Sequence, residues 1–336
     1  MVDRRLALAL VYAAMLVAAA LFGWLSGSYT DVGDVWSFAN AGSTLLSSSW
    51  LHAFHVPAIQ AGPLELALTY AAKTVGGGHT GFAVVLDVTS MAVVTAAAAS
   101  LLEWRALGLA VFAAGACVLQ LPEEGYRGHP GDLMIGVLWL LAGREARRGR
   151  NALAGGMVGL SACFEVWGVL GVAVLCLAPT LRRAARGVVI AAALPIACFL
   201  PFALGGYFRM FQFSWPILRG PALLLVGSGH EFTWWMRVAE GAAVVVAAGS
   251  TARLLRRLPE SMWIVPAVAV LTRIALDPMT YGYYFDPALV ALLIGGSQLV
   301  LHWRELHDRL AAGFPSLTAN SARAPGWSSR APSSLP

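Results

Sequence analysis

The chain has 336 residues, of which 58% are hydrophobic and 12% charged, with a mean hydropathy of +0.68. This balance excludes an ordinary soluble domain and predicts an all-α, polytopic membrane protein. The formal net charge is +5, but the arginines cluster between apolar runs. Such clusters are typical of cytoplasmic loops, so the charge does not indicate a nucleic-acid partner.

Arginine clusters orient the predicted spans. The clusters Arg144–Arg150, Arg182–Arg186 and Arg253–Arg257, with the single Arg105, are assigned to the cytoplasm. Both termini then lie on the cytoplasmic side of a bacterial plasma membrane. The layout predicts about ten transmembrane helices, at 6–25, 81–102, 106–121, 132–143, 152–163, 167–179, 187–205, 234–251, 261–276 and 288–302. The first is interpreted as an uncleaved signal-anchor.

The segment 26–80 is predicted to be one long extracytoplasmic loop with interfacial helices. Between 63 and 73 the polar residues are Glu65, Thr69 and Lys73. Their spacing forms one polar stripe on an apolar helix, typical of a helix lying in the membrane interface. A short spanning helix is the alternative, but it would invert every later arginine cluster. Residues 34–46 are a second amphipathic candidate.

The apolar stretch 151–179 lies between two arginine clusters. A single helix would place one cluster outside, so the preferred interpretation is a hairpin of two short helices turning at Phe164–Gly168. Glu165 would lie at its tip. An acid there is costly unless it has a partner or faces a cavity.

The other large external loop is predicted at 206–233. Residues 1–310 are assigned to one transmembrane domain, and the tail 311–336 to a disordered cytoplasmic segment. Most acids fall outside or at outer helix ends. Some have local explanations, because Arg237 and Glu240, and Arg273 and Asp277, are spaced for pairing on a helix.

Four segments resemble one family. "RGRNALAGGMVGLSACFEVWG" (148–168), "GHPGDLMIGVLWLLAG" (128–143), "GDVWSFANAG" (33–42) and "YGYYFDPALVALL" (281–293) resemble segments of GT-C membrane glycosyltransferases. The most similar are the polyprenyl-phosphate-mannose-dependent mannosyltransferases of actinobacterial envelopes. The chain departs from their pattern at Glu165, where the family has Lys, and at Gly168, where it has Pro.

The resemblance implies an active site at the outer leaflet. There, a sugar, mannose or a pentose, would pass with inversion from a polyprenyl-phosphate donor, which enters from the membrane lipids, to an envelope lipid or glycan acceptor. The alternatives are a catalytically inactive GT-C-like assembly subunit, for which Glu165 is the main argument, and a transporter or lipid flippase. Apolar span centres disfavour the last.

The chemistry needs a carboxylate base and donors for the leaving phosphate. Asp34 is the preferred base and Asp31 its alternative. The remaining candidates are Arg273, Arg219 and Arg209 for the donor phosphate, and Glu65, Arg127, His129, Glu165 and Tyr283 for sugar or acceptor. No cofactor is expected. A divalent metal at Asp31 and Asp34 is possible chemically but not favoured.

Overall fold

The computed structural model describes residues 3–28, 33–205, 207–217, 231–279 and 281–313. Its α-helices are α1 (Arg4–Ser26), α2 (Gly33–Leu45), α3 (Pro63–Gly76), α4 (His79–Leu101), α5 (Ala106–Val118), α6 (Glu124–Arg127), α7 (Pro130–Arg147), α8 (Asn151–Phe164), α9 (Leu181–Leu204), α10 (Trp234–Leu255), α11 (Ile264–Leu276) and α12 (Asp286–Gly313). The described residues also contain short 3₁₀ turns and two strands of two residues each, β1 (Trp215–Pro216) and β2 (Glu231–Phe232). The all-α prediction is confirmed.

Every predicted span coincides with helical structure. Five helices of the described residues are long and apolar enough to cross a membrane: Arg4–Ser26, His79–Leu101, Leu181–Leu204, Trp234–Leu255 and Gly282–Glu305. The pair Ala106–Val118 and Leu121–Arg127, bent by 72°, is a sixth candidate if it forms one broken span. The segments Asn151–Phe164, Val166–Leu177 and Ile264–Leu276 are apolar but shorter.

The predicted break in the stretch 151–179 is present. α8 ends at Phe164, Glu165 is extended, and a 3₁₀ helix runs from Val166 to Leu177. A 3₁₀ helix rises about 2.0 Å per residue and stacks residues i and i+3 on one face. Gly168, Gly171, Val174 and Leu177 share that spacing and are all buried, so one face of the 3₁₀ helix packs inward.

Two glycines allow this face to approach its neighbours. A Cβ on Gly168 would collide with the backbone carbonyl of Ser161, and one on Gly171 with the indole of Trp139. Trp139 is fully buried, and its Nε1 donates to Gly168 O at 3.0 Å and to Ser161 Oγ at 3.1 Å. These contacts join α7, α8 and the 3₁₀ helix at the turn.

The first long loop folds as two packed helices, α2 and α3. The polar stripe of α3 does not face solvent along its length, because Glu65 and Thr69 are fully buried. Its last member, Lys73, donates to Asn40 Oδ1 at 2.8 Å and lies over the Trp36 ring. The stripe therefore contacts α2 and the protein interior, which the amphipathic pattern alone did not predict.

Helix ends collect at two opposite ends of the bundle. Arg4 donates to Glu103 O at 2.9 Å, Arg105 pairs with Glu305, and Arg147 donates to Leu258 O at 2.8 Å. We call this the basic end, defined by Arg4, Arg105, Arg147 and their partners. The end of α1 and the starts of α4, α7, α10 and α12 lie at the other end.

Candidate functional site

A cavity of about 600 Å³ lies at the end opposite the basic end. Its walls come from the start of α2, the loop before α7, the α8 turn, the start of α10, the end of α11 and the segment before α12. The polar side chains that line it include Asp34, His129, Glu165, Arg237, Glu240 and Arg273. The sequence thus brings ionisable groups from five separate segments to one concave site.

Three of these residues form a line through His129. The imidazole Nδ1 lies 2.6 Å from Glu165 Oε1, and Nε2 lies 3.5 Å from Asp34 Oδ2. Trp167 donates its Nε1 proton to the other Glu165 oxygen at 2.6 Å. The acid at the hairpin tip therefore has both a partner and a cavity, as its cost in a membrane protein requires.

Asp34 is the accessible member of that line. Its side chain is 65% exposed, whereas those of His129 and Glu165 are 11% and 10% exposed. Asp34 lies in the first turn of α2, where a carboxylate is favoured by the helix dipole. The Asp34 carboxylate is therefore open to a molecule in the cavity.

Two further acids lie behind this line. Glu65, on α3, accepts a long hydrogen bond of 3.4 Å from Gly131 N, and its Oε2 has no partner. Asp132, in the first turn of α7, is fully buried and neither of its carboxylate oxygens has a partner. A carboxylate oxygen of Glu65, a ring nitrogen of His129 and a carboxylate oxygen of Glu165 lie within 4.8 Å of one another.

These surroundings shift three protonation equilibria. Burial, reinforced by Glu165, raises the pKa of Glu65 well above its ordinary value. Burial alone would lower the pKa of His129, but Glu165, Asp34 and Glu65 raise it well above that of a free imidazole. The adjacent His129 imidazole lowers the pKa of Asp34, although partial burial opposes it. Asp34 is therefore ionised at neutral pH.

The opposite wall carries a network of two arginines and two carboxylates. Arg237 pairs with Glu240 at 2.8 Å and with Asp277 at 2.9 Å. Arg273 lies 3.4 Å from Asp277 and 4.0 Å from Glu240. Both local pairs predicted from spacing are confirmed. The network balances its own charge, yet the Nη1 of the buried Arg273 has no hydrogen-bond partner.

Aromatic rings surround both polar groups. Tyr283 stacks on His129 with centroids 4.4 Å apart, and Tyr281 stacks on Tyr283 at 5.4 Å. The Arg273 guanidinium lies 4.1 Å from the Trp167 ring centroid, and that of Arg237 lies 4.4 Å from the Trp215 centroid. Cation–π contacts of this kind hold buried guanidinium groups in place.

The structure brings together six of the predicted site residues: Asp34, Glu65, His129, Glu165, Arg273 and Tyr283. Arg127 instead pairs with Glu123 at 2.9 Å, and the exposed Arg209 does not line the cavity. Asp31 and Arg219 lie outside the described residues, so the alternative base and the Asp31–Asp34 metal site have no structural description.

Sequence reasoning missed three parts of the site. The sequence explains Arg237 only by its local pair with Glu240. In the structure Arg237 also pairs with the distant Asp277, and it lines the cavity. Trp167 is next but one to Glu165 and was not recognised as its hydrogen-bond donor. Asp132 belongs to the acids that the sequence predicts outside or at outer helix ends, but it is fully buried. Asp132 is the last residue of the "GHPGD" segment, three positions after His129, and this was the one available signal.

No protein-family model, curated protein or solved structure matches this chain. The fold and the cavity chemistry are therefore the basis for the functional assignment.

Proposed function

We propose that this protein is a GT-C-like glycosyltransferase that moves a sugar, mannose or a pentose, from a polyprenyl-phosphate donor to an envelope lipid or glycan. The ten helical segments span a bacterial plasma membrane, with both termini in the cytoplasm and the cavity at the outer leaflet. The observation that carries the proposal is that an exposed carboxylate, Asp34, and the buried Arg273 line one cavity.

Asp34 is the group suited to act as general base. An acceptor hydroxyl attacks the anomeric carbon, the bond from that carbon to the phosphate oxygen breaks, and its electron pair stays on the phosphate. The hydroxyl proton passes to the Asp34 carboxylate. Attack opposite the leaving group inverts the anomeric centre, and general-base help of this kind contributes about 10²–10⁴-fold.

Arg273 is the group suited to face the leaving phosphate. Its Nη1 has no partner and its side chain lines the cavity. Since Asp277 and Glu240 already balance its charge, it offers positioned N–H donors rather than a free positive charge. The nearby Trp167 and Tyr281 rings supply flat apolar surfaces for a sugar or the first isoprene units.

The test is sugar transfer by the purified protein returned to membranes that supply acceptors, with labelled polyprenyl-phosphate mannose and pentose as donors. We expect Asp34→Asn to lower turnover by about 10²-fold or more, because the amide cannot take the proton. Glu103→Gln is the matched control, an exposed acid at the basic end, and should retain activity.

Turnover by Asp34→Asn equal to that of the unmodified protein would exclude Asp34 as the base. A complete lack of turnover by the unmodified protein with every donor would instead favour the inactive assembly subunit. That outcome would agree with the presence of Glu165 at the position where the resembled family has lysine. Here Glu165 binds His129 and Trp167.

A further inference from the structure

Buried carboxylates outnumber cations around His129. Glu65 and Asp132 are completely buried, Glu165 is 8% exposed, and all three interact electrostatically with the single imidazole. Buried charge is costly unless a counter-charge or a proton compensates it. The free oxygens, Glu65 Oε2 and both of Asp132, lack any hydrogen-bond donor.

The free oxygen of Glu65 faces the other two groups. A Cβ at Gly131 would contact Glu65 Oε2 and would lie 3.0 Å from Glu165 Cγ, so the two acids meet at a point where the chain has no side chain. His129 reaches the same place from the residue before α7. Ligand atoms of all three lie within 4.8 Å of one another.

We propose that Glu65, His129 and Glu165 bind one divalent metal ion at the wall of the cavity. One imidazole and two carboxylates form a ligand set suited to Zn²⁺ or Mn²⁺, at ligand distances of about 2.0–2.2 Å. Metal ligands must bind as carboxylates and neutral imidazole, so any proton on these groups is released to solvent when the ion enters. Its charge then compensates the two carboxylates.

The surroundings fit such a role. Trp167 donates to the second Glu165 oxygen and Gly131 N to Glu65 Oε1, so both carboxylates have a fixed orientation from outside the three-residue group. The three ligands come from α3, the residue before α7 and the α8 turn. An ion there would tie the loop helices to the transmembrane bundle. The site adjoins Asp34 through His129 but does not use Asp34 as a ligand, and the inference does not depend on the proposed transferase.

The experiment is metal binding by the full chain in detergent. Protein freed of metal with a chelator is dialysed against Zn²⁺ or Mn²⁺ and its metal content is measured by plasma mass spectrometry. We expect about one ion per chain, with affinity lower by about tenfold or more in Glu65→Gln and Glu165→Gln. Asp87→Asn is the matched control, a buried acid without partners on α4.

If the unmodified protein binds neither Zn²⁺ nor Mn²⁺ stoichiometrically, the proposal is overturned, whatever the variants do. Equal binding in Glu65→Gln, Glu165→Gln and Asp87→Asn would also overturn it. Mn²⁺ electron paramagnetic resonance gives a second readout, because imidazole nitrogen coupling should be present in the unmodified protein and absent in His129→Gln. No donor or acceptor enters these measurements, so failure of the transferase proposal would leave them unaffected.

Discussion

Arg273 shows how a single residue in this protein serves both structure and site. It is 5% exposed, lies between the Trp167 and Tyr284 rings, and faces Asp277 and Glu240. Removing one partner of a buried ion pair leaves an uncompensated charge, which costs about 3–5 kcal/mol. Arg237 also contacts Asp277 and Glu240, so it compensates part of that loss.

We expect Arg273→Gln to lower the melting temperature in detergent, measured by tryptophan fluorescence. The double variant Arg273→Gln with Asp277→Asn should recover most of the loss, because Arg237 and Glu240 remain as a balanced pair. Arg209→Gln, an exposed arginine outside the network, should melt near the unmodified protein. A double variant that loses the sum of both single effects would contradict the network's charge balance.

Single residues were predictable where charge is rare and unpredictable where partners are distant. Asp34 and Glu165 stand out because charged residues are few in an apolar sequence, and both line the cavity. The contact from Glu165 to His129 spans 36 positions, and that from Arg237 to Asp277 spans 40. Such contacts depend on helix packing, which local spacing does not encode. Asp132 was assigned to the outside because acids at helix ends are commonly solvated.

The 3₁₀ helix Val166–Leu177 is the unusual element of the fold. Its 12 residues reach about 24 Å at about 2.0 Å per residue, against about 18 Å for an α-helix of the same length. The tighter winding thus lets a short segment cover more of a hydrocarbon layer of about 30 Å. It also aligns Gly168 and Gly171 on the packed face.

Gly168→Ala should therefore destabilise the turn between α8 and the 3₁₀ helix. The added methyl group collides with the Ser161 backbone carbonyl, and overpacking of this kind costs about 1–3 kcal/mol. Gly156→Ala is the control on α8, since a Cβ there meets nothing within 4 Å. We expect it to be neutral or stabilising by up to about 1 kcal/mol, because alanine favours helix.

Melting temperature and retention on a size-exclusion column measure both variants. Equal stability of Gly168→Ala and Gly156→Ala would show that the turn tolerates a side chain at 168.

Elements were predicted well where a boundary had its own signal. Arginine clusters marked the ends of several helical segments, and the break at Glu165 followed from charge parity. The 3₁₀ winding and the inward polar stripe of α3 were not predictable in this way. Both depend on which neighbour each face meets, through Trp139 in one case and the site around His129 in the other.

At the scale of the whole molecule, the helix ends sort by charge. The arginine-rich connections meet at the basic end, and Arg253 donates to Ala178 O there at 3.1 Å. The cavity and most of the buried acids lie at the opposite helix ends, whereas the buried Glu145 lies at the basic end and pairs with Arg144, Arg148 and Arg150. Positive connections tend to stay on the cytoplasmic side of a membrane, and this arrangement supports the proposed orientation, with the cavity outside.

Cysteine labelling in intact cells tests that orientation. In a variant with Cys117, Cys163, Cys176 and Cys198 replaced by alanine, Gly78→Cys places one thiol between α3 and α4, where a Cβ meets nothing within 4 Å. Glu103→Cys places one at the basic end, where the Glu103 side chain is 77% exposed.

We expect a membrane-impermeant maleimide to label Gly78→Cys in intact cells and Glu103→Cys only after the cells are permeabilised. The physical reason is that the arginines of the basic end resist transfer across the membrane, which fixes the opposite helix ends outside. The reverse pattern would place the cavity in the cytoplasm, and it would remove the outer-leaflet donor on which the proposed transfer depends. Labelling of both thiols in intact cells would contradict the alternation of helix direction, whatever the chemistry of the cavity.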